Sequence, residues 1–252
     1  MQVKNARRLT AAVAAGVVGL VLAGCGEAAS ASAPRAETAP PYASVEQLPE
    51  ALGMDGTTIT VGDPAAQTTV RVYEDPRCPV VEEFELTGGA SVLRERTIGR
   101  QVKTEYTFAS FRDERLGGDG SKRAVNALRA ALDVGKFAEY HAVLFRHQAE
   151  AEASGGYTTD DLLKLAGEVK GLRGKQFDHA VTTMKYRSFV TASQAAYDAA
   201  NGDEPLGPGT PTVVINGKQV PEESYGIIFD KPSFEELLTK VQEQSVQWEL
   251  TT

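Results

Sequence analysis

The sequence predicts an α/β fold in which a mixed β-sheet is flanked by helices and interrupted by a long helical segment. Three observations predict it. Strand-like segments at 68–73 and 101–110 are separated by one helical segment, the stretch 121–201 has no strand pattern, and a strand–turn–strand pattern at 211–220 precedes a last helix. Strands joined through one helix run parallel, whereas a hairpin adds antiparallel strands, so the sheet is mixed.

The composition is that of a globular domain with a core. The chain has 252 residues, of which 42% are hydrophobic and 24% charged, and its formal net charge is −8. Phosphate binding requires a basic patch, and the sequence shows none. The acidic balance therefore argues against a nucleic-acid partner and against electrostatic docking on anionic lipid headgroups.

The N-terminus has the pattern of an export signal. Three cations precede an apolar stretch, Leu9–Gly24, that is short for a membrane span. The residues LAGC at 22–25 resemble a bacterial lipobox, which implies cleavage before Cys25 and a diacylglyceryl group on its sulfur; the alternative is an ordinary signal peptide with an incidental Cys25. We predict a signal peptide at 1–24 and a lipidated cysteine with a disordered tether at 25–55, because that segment is rich in Ala, Ser, Pro and Glu.

The first half of the folded domain contains three predicted strands and one helix. Thr57–Val61 alternates weakly and predicts a short edge strand, whereas the β-branched segment Thr68–Tyr73 predicts a central one. A helical pattern runs from Pro79 to Thr97 and is weakened by Gly88-Gly89. Apolar and polar residues alternate from Gln101 to Ser110, which predicts a half-buried strand.

A helical insertion at about 119–201 lies within the domain, which we predict at 56–247. A turn at Arg115–Gly120 precedes it, and its glycines lack the lysine and the spacing of a phosphate loop, so they are interpreted as a connector. The third helix of the insertion is predicted to have Thr159 as its N-cap. Apolar residues at helical spacing predict five helices, around 124–132, 137–145, 162–166, 177–184 and 189–200.

The C-terminal part returns to strand. Pro211–Ile215 predicts a strand, Asn216-Gly217 a hairpin turn and Lys218–Val220 the returning strand. An amphipathic helix begins near Pro232, and residues 248–252 are predicted to be a tail.

Four segments resemble the DsbA-like branch of the thioredoxin superfamily. They are VRVYED running into PRCPVVEEFE, GKFAEYHAVLF at 135–145, GTPTVVINGK at 209–218, and the terminal amphipathic helix. The resemblance covers roughly Thr57 to Gln247. It implies a thioredoxin-like fold with an α-helical insertion domain and a role in thiol–disulfide chemistry.

The resemblance implies a site at the start of the first helix. Cys78 would precede Pro79, which suits the first helical position because its missing N–H would have no partner there. Free N–H groups and the helix dipole favour the thiolate, the attacking form of cysteine. Thr210-Pro211 would be a cis peptide bond beside the sulfur. Catalysis is thus assigned to Cys78, and substrate binding to Pro79, Thr210 and Pro211.

Val81 stands where the family has a second cysteine, so a dithiol oxidase or reductase cycle cannot run within one molecule. What remains is monothiol disulfide exchange or isomerisation, in which Cys78 forms a mixed disulfide that another thiol resolves. Alternatively, Cys78 is only a packing residue, and the chain is a redox-inactive lipoprotein that binds a peptide or protein across the same groove. A third hypothesis is a purely structural envelope lipoprotein.

The expected location is the extracytoplasmic face of the membrane, where the lipid would anchor the chain and protein or peptide thiols and disulfides would be its partners. No cofactor and no metal is expected, since no histidine spacing suggests zinc. Arg77 is expected to be solvated, with a charge that can act near Cys78. Glu74 and Asp75 are expected to be solvated or capping. Surface or packing roles are expected for His141, His147 and His179.

Overall fold

The computed structural model of the chain describes residues 39–201 and 207–243. The predicted signal peptide, Cys25, the first part of the tether and the tail at 248–252 lie outside the described residues. Within the described part, none of the helices has the length and apolar character needed to cross a bilayer.

The described elements follow the predicted order, with additions. The strands are β1 Glu50–Leu52, β2 Thr58–Val61, β3 Thr68–Glu74, β4 Val102–Phe108, β5 Thr212–Ile215 and β6 Lys218–Gln219. The α-helices are α1 Pro79–Leu86, α2 Ala90–Ile98, α3 Arg112–Leu116, α4 Gly120–Leu132, α5 Phe137–Arg146, α6 Gln148–Ala153, α7 Thr159–Ala166, α8 Lys175–Thr182, α9 Arg187–Asp198 and α10 Lys231–Glu243. Short 3₁₀ helices occupy Val45–Gln47, Ala199–Asn201 and Glu222–Ile228.

The strands form one mixed sheet in the order β1-β2-β4-β3-β5-β6. β3 and β4 are parallel, as the single connecting helical segment predicts, and all other neighbours are antiparallel. β3 is central because β-branched and apolar residues fill it, and Val70 and Val72 are fully buried. The predicted mixed sheet is confirmed.

The sheet separates two apolar cores. On one side Ile59 and Phe108 pack with the helices of the insertion, including α4, α5, α7 and α8. On the other side Val70 and Val72 pack with Phe84, α2 and α10. The sheet is therefore covered by helices on both faces, as expected for a sheet with central parallel strands.

The domain begins earlier than the predicted residue 56. β1 pairs with β2 and takes the edge position, so the predicted edge strand at Thr57–Val61 is an inner strand. The Glu50 carboxylate accepts hydrogen bonds from the N–H groups of Phe137 at 2.9 Å and Ala138 at 2.7 Å, at the start of α5. The sequence shows no alternating apolar pattern here, because the strand has only three residues. The segment is held in place instead by the contact of Glu50 with the start of α5.

The predicted helix from Pro79 to Thr97 is two helices, because the chain breaks at Gly88-Gly89. A Cβ at Gly89 would lie 2.4 Å from Cδ1 of Phe234 and 2.6 Å from the Ile228 carbonyl. The glycine pair lets the backbone approach α10, and α2 then starts in a new direction.

Two smaller expectations were also wrong, and two short elements were missed. The capping residue of α7 is Thr158 rather than Thr159: its hydroxyl accepts from the Asp161 N–H, and Asp161 accepts from the Thr158 N–H in return. The segment predicted as a turn at Arg115–Gly120 starts inside the short helix α3. The helix α6 and the 3₁₀ helix at Glu222–Ile228 were not predicted, since they are too short to show an apolar period.

Candidate active site

Cys78 lies at the start of α1 as predicted. It is the N-cap residue in an extended conformation, Pro79 is the first helical residue, and the Cys78 carbonyl accepts from the N–H groups of Val81 at 3.0 Å and Glu82 at 3.1 Å. A tight turn leads into it, because the Cys78 N–H donates to the Asp75 carbonyl at 2.9 Å. The Cys78 residue is 5% exposed and borders a cavity.

The predicted proline loop faces the sulfur. The Thr210-Pro211 peptide bond is cis, as the resemblance implies. The Cys78 thiol donates to the Thr210 carbonyl, with 3.3 Å between sulfur and oxygen. The Pro211 carbonyl accepts from the Tyr225 hydroxyl. The structure thus brings Cys78, Pro79, Thr210 and Pro211 together, while Cys25 lies outside the described residues.

Val81 fills the space on the inner side of the sulfur. It is fully buried and packs in a small cluster with Cys78 and Phe145. Among the described residues Cys78 is the only cysteine. Position 81 therefore presents two methyl groups in an apolar pocket beside the sulfur.

Arg77 is buried, and the expectation of a solvated side chain was wrong. Its guanidinium donates to the carboxylates of Asp113 at 3.0 Å and Glu152 at 2.6 Å and to the Gly117 carbonyl at 2.9 Å. Gly156 has φ +101°, and a Cβ there would lie 2.8 Å from the Arg77 Cζ. The charge beside Cys78 is consequently neutralised, and the glycine cluster predicted as a connector is part of the arginine site.

Asp75 is also buried, because it organises the turn. Its carboxylate accepts from the N–H groups of Arg77 at 2.9 Å and Arg112 at 3.0 Å and from the Ser121 hydroxyl at 2.6 Å. Burial raises the pKa of Asp75 to about 6, although these hydrogen bonds oppose the rise. The residue joins the turn before Cys78 to α3 and to the start of α4.

Glu74, Glu85 and His141 form a buried cluster that the sequence did not predict. Nε2 of His141 lies 2.7 Å from Oε2 of Glu74, and Nδ1 lies 3.8 Å from Oε2 of Glu85. Burial raises the pKa of both Glu74 and Glu85 to about 8 and lowers the pKa of His141 to about 4. The short contact is therefore a hydrogen bond between neutral groups rather than an ion pair.

This cluster brings one possible metal-ligand atom from each of three residues within 4.8 Å of one another. The two nitrogens of the imidazole face different carboxyl groups, Glu74 at 2.7 Å and Glu85 at 3.8 Å. The ring of His141 lies 4.9 Å from that of Phe145, which contacts Cys78. The expected absence of a metal site stays a prediction.

A signal for the cluster was present in the sequence. Glu85 is one helical turn after the buried Val81, and His141 lies midway between Phe137 and Phe145 on one face of α5. A buried polar residue at an apolar position of a helix requires a hydrogen-bonding partner. Here α1 and α5 each supply a polar residue that faces the other helix.

The comparisons with known proteins agree with this geometry. A family model described as Thioredoxin matches residues 54–241. The chain belongs to this thioredoxin family. No curated protein sequence matches the chain.

Solved structures of thioredoxin-fold proteins superpose on most of the chain. BdbD of Bacillus subtilis does so with a TM-score of 0.60 at 18% identity, over 81% of this chain and 100% of that one. DsbA of Chlamydia trachomatis gives 0.59 at 16%, over 75% and 93%. MdbA of Corynebacterium matruchotii, a thiol-disulfide oxidoreductase, gives 0.58 at 17%, over 70% and 88%. The predicted DsbA-like thioredoxin fold is confirmed.

Removing Arg77 should cost far more stability than removing a surface arginine. Arg77→Met leaves the Asp113 carboxylate buried without its cation, and we expect the free energy of unfolding to fall by about 3–5 kcal/mol. Arg71→Met, which breaks the partly exposed pair with Glu105, is the matched control and should cost about 0–1 kcal/mol. Urea denaturation measures both. Equal losses would contradict the structural role of Arg77.

Stability should fall as the pH rises from 6.5 to 8. The folded state keeps protons on Glu74 and Glu85 that the unfolded chain loses near pH 4.5, so stability present at low pH is lost on approaching pH 8. His141 acts in the opposite sense, but only between about pH 4 and 6.5. The expected slope is up to about 1.4 kcal/mol per pH unit for each carboxyl group that titrates.

Glu85→Gln removes one titrating group and should flatten this slope in urea denaturation series at several pH values. Glu83→Gln, at an exposed position of the same helix, is the control and should leave the slope unchanged. A wild-type curve that rises between pH 6.5 and 8 would refute the raised pKa values of Glu74 and Glu85.

Proposed function

We propose that this protein exchanges or isomerises disulfides through the single thiol of Cys78. The observation that carries the proposal is the placement of Sγ. It lies at the start of α1, 3.3 Å from the Thr210 carbonyl, beside a cavity, with Val81 in place of a resolving cysteine. Helix starts stabilise anions, and the thiolate is the reactive form.

The exchange has two balanced steps. The Cys78 thiolate attacks one sulfur of a substrate disulfide, so that a mixed disulfide forms and the other substrate sulfur leaves as a thiolate, which takes up the proton that Cys78 lost. A thiol of the substrate, or a small thiol, then attacks the mixed disulfide and releases Cys78. No electrons are gained or lost overall, which is why one sulfur suffices.

Thr210 and Pro211 are proposed to bind the substrate. In the thiol form, the Thr210 carbonyl accepts from Cys78. A thiolate has no proton to donate, so ionisation releases this carbonyl to accept an N–H from a bound peptide. Substrate binding and activation of the sulfur would thus be coupled. Pro79 is exposed next to the sulfur and would border the bound chain.

A second candidate function is a redox-inactive module that binds peptides across the same groove. The low exposure of Cys78 and its packing with Val81 and Phe145 favour it. In that case the sulfur is a packing atom, and binding does not depend on it.

We further propose that the protein is held at the extracytoplasmic face of the membrane by lipid on Cys25. The support is the sequence alone: the export-signal pattern and the LAGC residues at 22–25. Two or more acyl chains anchor a protein far more firmly than one. Its partners would then be protein or peptide thiols and disulfides outside the cytoplasm.

Refolding of a scrambled disulfide protein with a small thiol tests the exchange function. The full chain with Cys25→Ser, in which Cys78 is the only sulfhydryl, should accelerate refolding, and Cys78→Ser should abolish the effect. Mixed disulfides trapped by acid should vanish in the same variant. Peptide binding that persists without Cys78, together with no acceleration in its presence, would support the binding module instead.

Val81→Cys extends the same experiment to the geometry. Residues three apart at a helix start are neighbours on one face, and a disulfide joins Cα atoms about 4.4–6.8 Å apart. The introduced thiol should pair with Cys78 and give a protein that oxidises reduced peptides. Val80→Cys, on the exposed side of α1, is the control and should not pair. Free thiols in both variants under oxidising glutathione would refute the placement.

Cell fractionation tests the anchor. The wild-type chain should sediment with membranes and incorporate labelled fatty acid, whereas Cys25→Ser should lose the label and leave the membrane fraction. Cys78→Ser is the control and should stay with the membranes. A labelled Cys25→Ser chain would refute lipidation at that sulfur.

A further inference from the structure

A cavity of about 370 Å³ lies beside Cys78. Its lining includes the stacked rings of Phe111 and Tyr197, with centroids 5.5 Å apart and an interplanar angle of 14°, and two arginines, Arg112 and Arg115. The volume is at the low end of the range for small-molecule sites. The cavity therefore suits a small ligand that reaches the sulfur.

Neither arginine forms an ion pair within 4.0 Å among the described residues. Most arginines of the described chain lie within 4.0 Å of a carboxylate, whereas Arg112, Arg115 and Arg187 have none among the described residues. Nε of Arg112 is buried without a hydrogen-bond partner there. Cζ of Arg115 lies 4.9 Å from the centre of the Phe111 ring. A guanidinium group binds a carboxylate through two parallel hydrogen bonds, so each of these arginines can hold a carboxylate in the cavity.

The cavity also offers negative charge. Glu114 and Asp198 belong to its lining, and Asp198 accepts from the Gln194 side-chain amide at 2.7 Å. Cations and anions on one small cavity complement a ligand that carries both an ammonium and a carboxylate. The aromatic rings of Phe111 and Tyr197 can pack against the carbon atoms of such a ligand.

We propose that this cavity binds a small disulfide of an α-amino-acid thiol, of which cystine is the simplest. Arg112 and Arg115 hold its carboxylate, and Cys78 attacks the nearer sulfur. The inference rests on the proposed exchange function and names a substrate class for it. The sulfur–sulfur bond of the ligand breaks and a Cys78–ligand disulfide forms. The other half leaves as a thiolate and takes up the proton that Cys78 lost.

Cystine and cystamine form a matched pair of probes, because cystamine is the same disulfide without the carboxylates. The full chain with Cys25→Ser is mixed with each, and mass spectrometry follows the mixed disulfide on Cys78. Both probes react with the same thiol, so the ratio of the cystine rate to the cystamine rate cancels the intrinsic reactivity of Cys78. This ratio reports the effect of the carboxylates, through direct contact and through the net charge of the probe.

The ratio should fall about two- to five-fold in Arg112→Gln and in Arg115→Gln, as expected for partly exposed charge pairs. Arg112→Lys should retain part of the ratio, because lysine keeps the positive charge but cannot donate the two parallel hydrogen bonds of a guanidinium. Salt at 0.5 M should also lower it. Arg187→Gln is the control, since Arg187 is unpaired but borders a different cavity, and it should leave the ratio unchanged.

Two results would overturn the inference in different ways. If Cys78 reacts with both probes and neither Arg112→Gln nor Arg115→Gln moves the ratio, the ligand class is wrong and the exchange function stands. If neither probe modifies Cys78, the exchange function fails as well. A third comparison separates the possible sources of the carboxylate: two peptide disulfides are tested that carry either Asp or Asn next to the disulfide. If Arg112→Gln and Arg115→Gln lower the rate ratio of the Asp to the Asn peptide but leave the ratio of cystine to cystamine unchanged, the small-molecule assignment is overturned.

Discussion

The ion-paired guanidinium of Arg77 is the interaction on which the rest of the site depends. It joins three segments that are distant in sequence: the turn before Cys78, the connector with Asp113 and Gly117, and the insertion through Glu152. Buried ion pairs contribute less to stability than to the choice of one arrangement, because desolvation offsets much of their attraction. Here the chosen arrangement fixes the residue next to Cys78, so the helical insertion sets the position of the sulfur although it contributes no reacting atom.

Two acidic residues, Glu74 and Asp75, are buried at the end of β3, and each is stabilised in a different way. Successive residues of a strand point to opposite faces, so Glu74 and Asp75 enter different environments. Asp75 meets N–H groups and a hydroxyl, which satisfy a carboxylate. Glu74 meets Glu85 and His141, and its Oε2 lies 2.7 Å from Nε2 of His141, while burial raises its pKa and so disfavours its charged form. Neither solution leaves an uncompensated charge beneath Cys78, which allows the sulfur to lie in an almost closed apolar pocket.

The sequence predicted the elements that have a strong local pattern. The central strand, the parallel pairing, the hairpin and the helix that begins after Cys78 all follow from residues close together in the chain, whereas the cis peptide at Pro211 was implied by the family resemblance. What it missed depends on distant partners. Arg77 is buried because Gly156 leaves room for it, and β1 exists because Glu50 caps α5. Such contacts between distant residues produce no periodic pattern in the sequence. For the contact between Glu85 and His141, the only signal was a polar residue at an apolar helix position.

The absence of a second sulfur changes what the site must recognise. In a dithiol protein the mixed disulfide is resolved from inside, so the attacking thiol need not be bound. Here Val81 fills that place, so under the proposed exchange function every turnover would end with a thiol from outside. A site of this kind works better when it also holds the group that carries the second sulfur, since proximity replaces a random encounter. Arg112 and Arg115, which form no ion pair among the described residues, lie on the cavity where such a group would arrive. Under the proposed function, Val81 beside Cys78 and the charge of this cavity would be two parts of one arrangement, in which recognition of a ligand substitutes for an internal thiol.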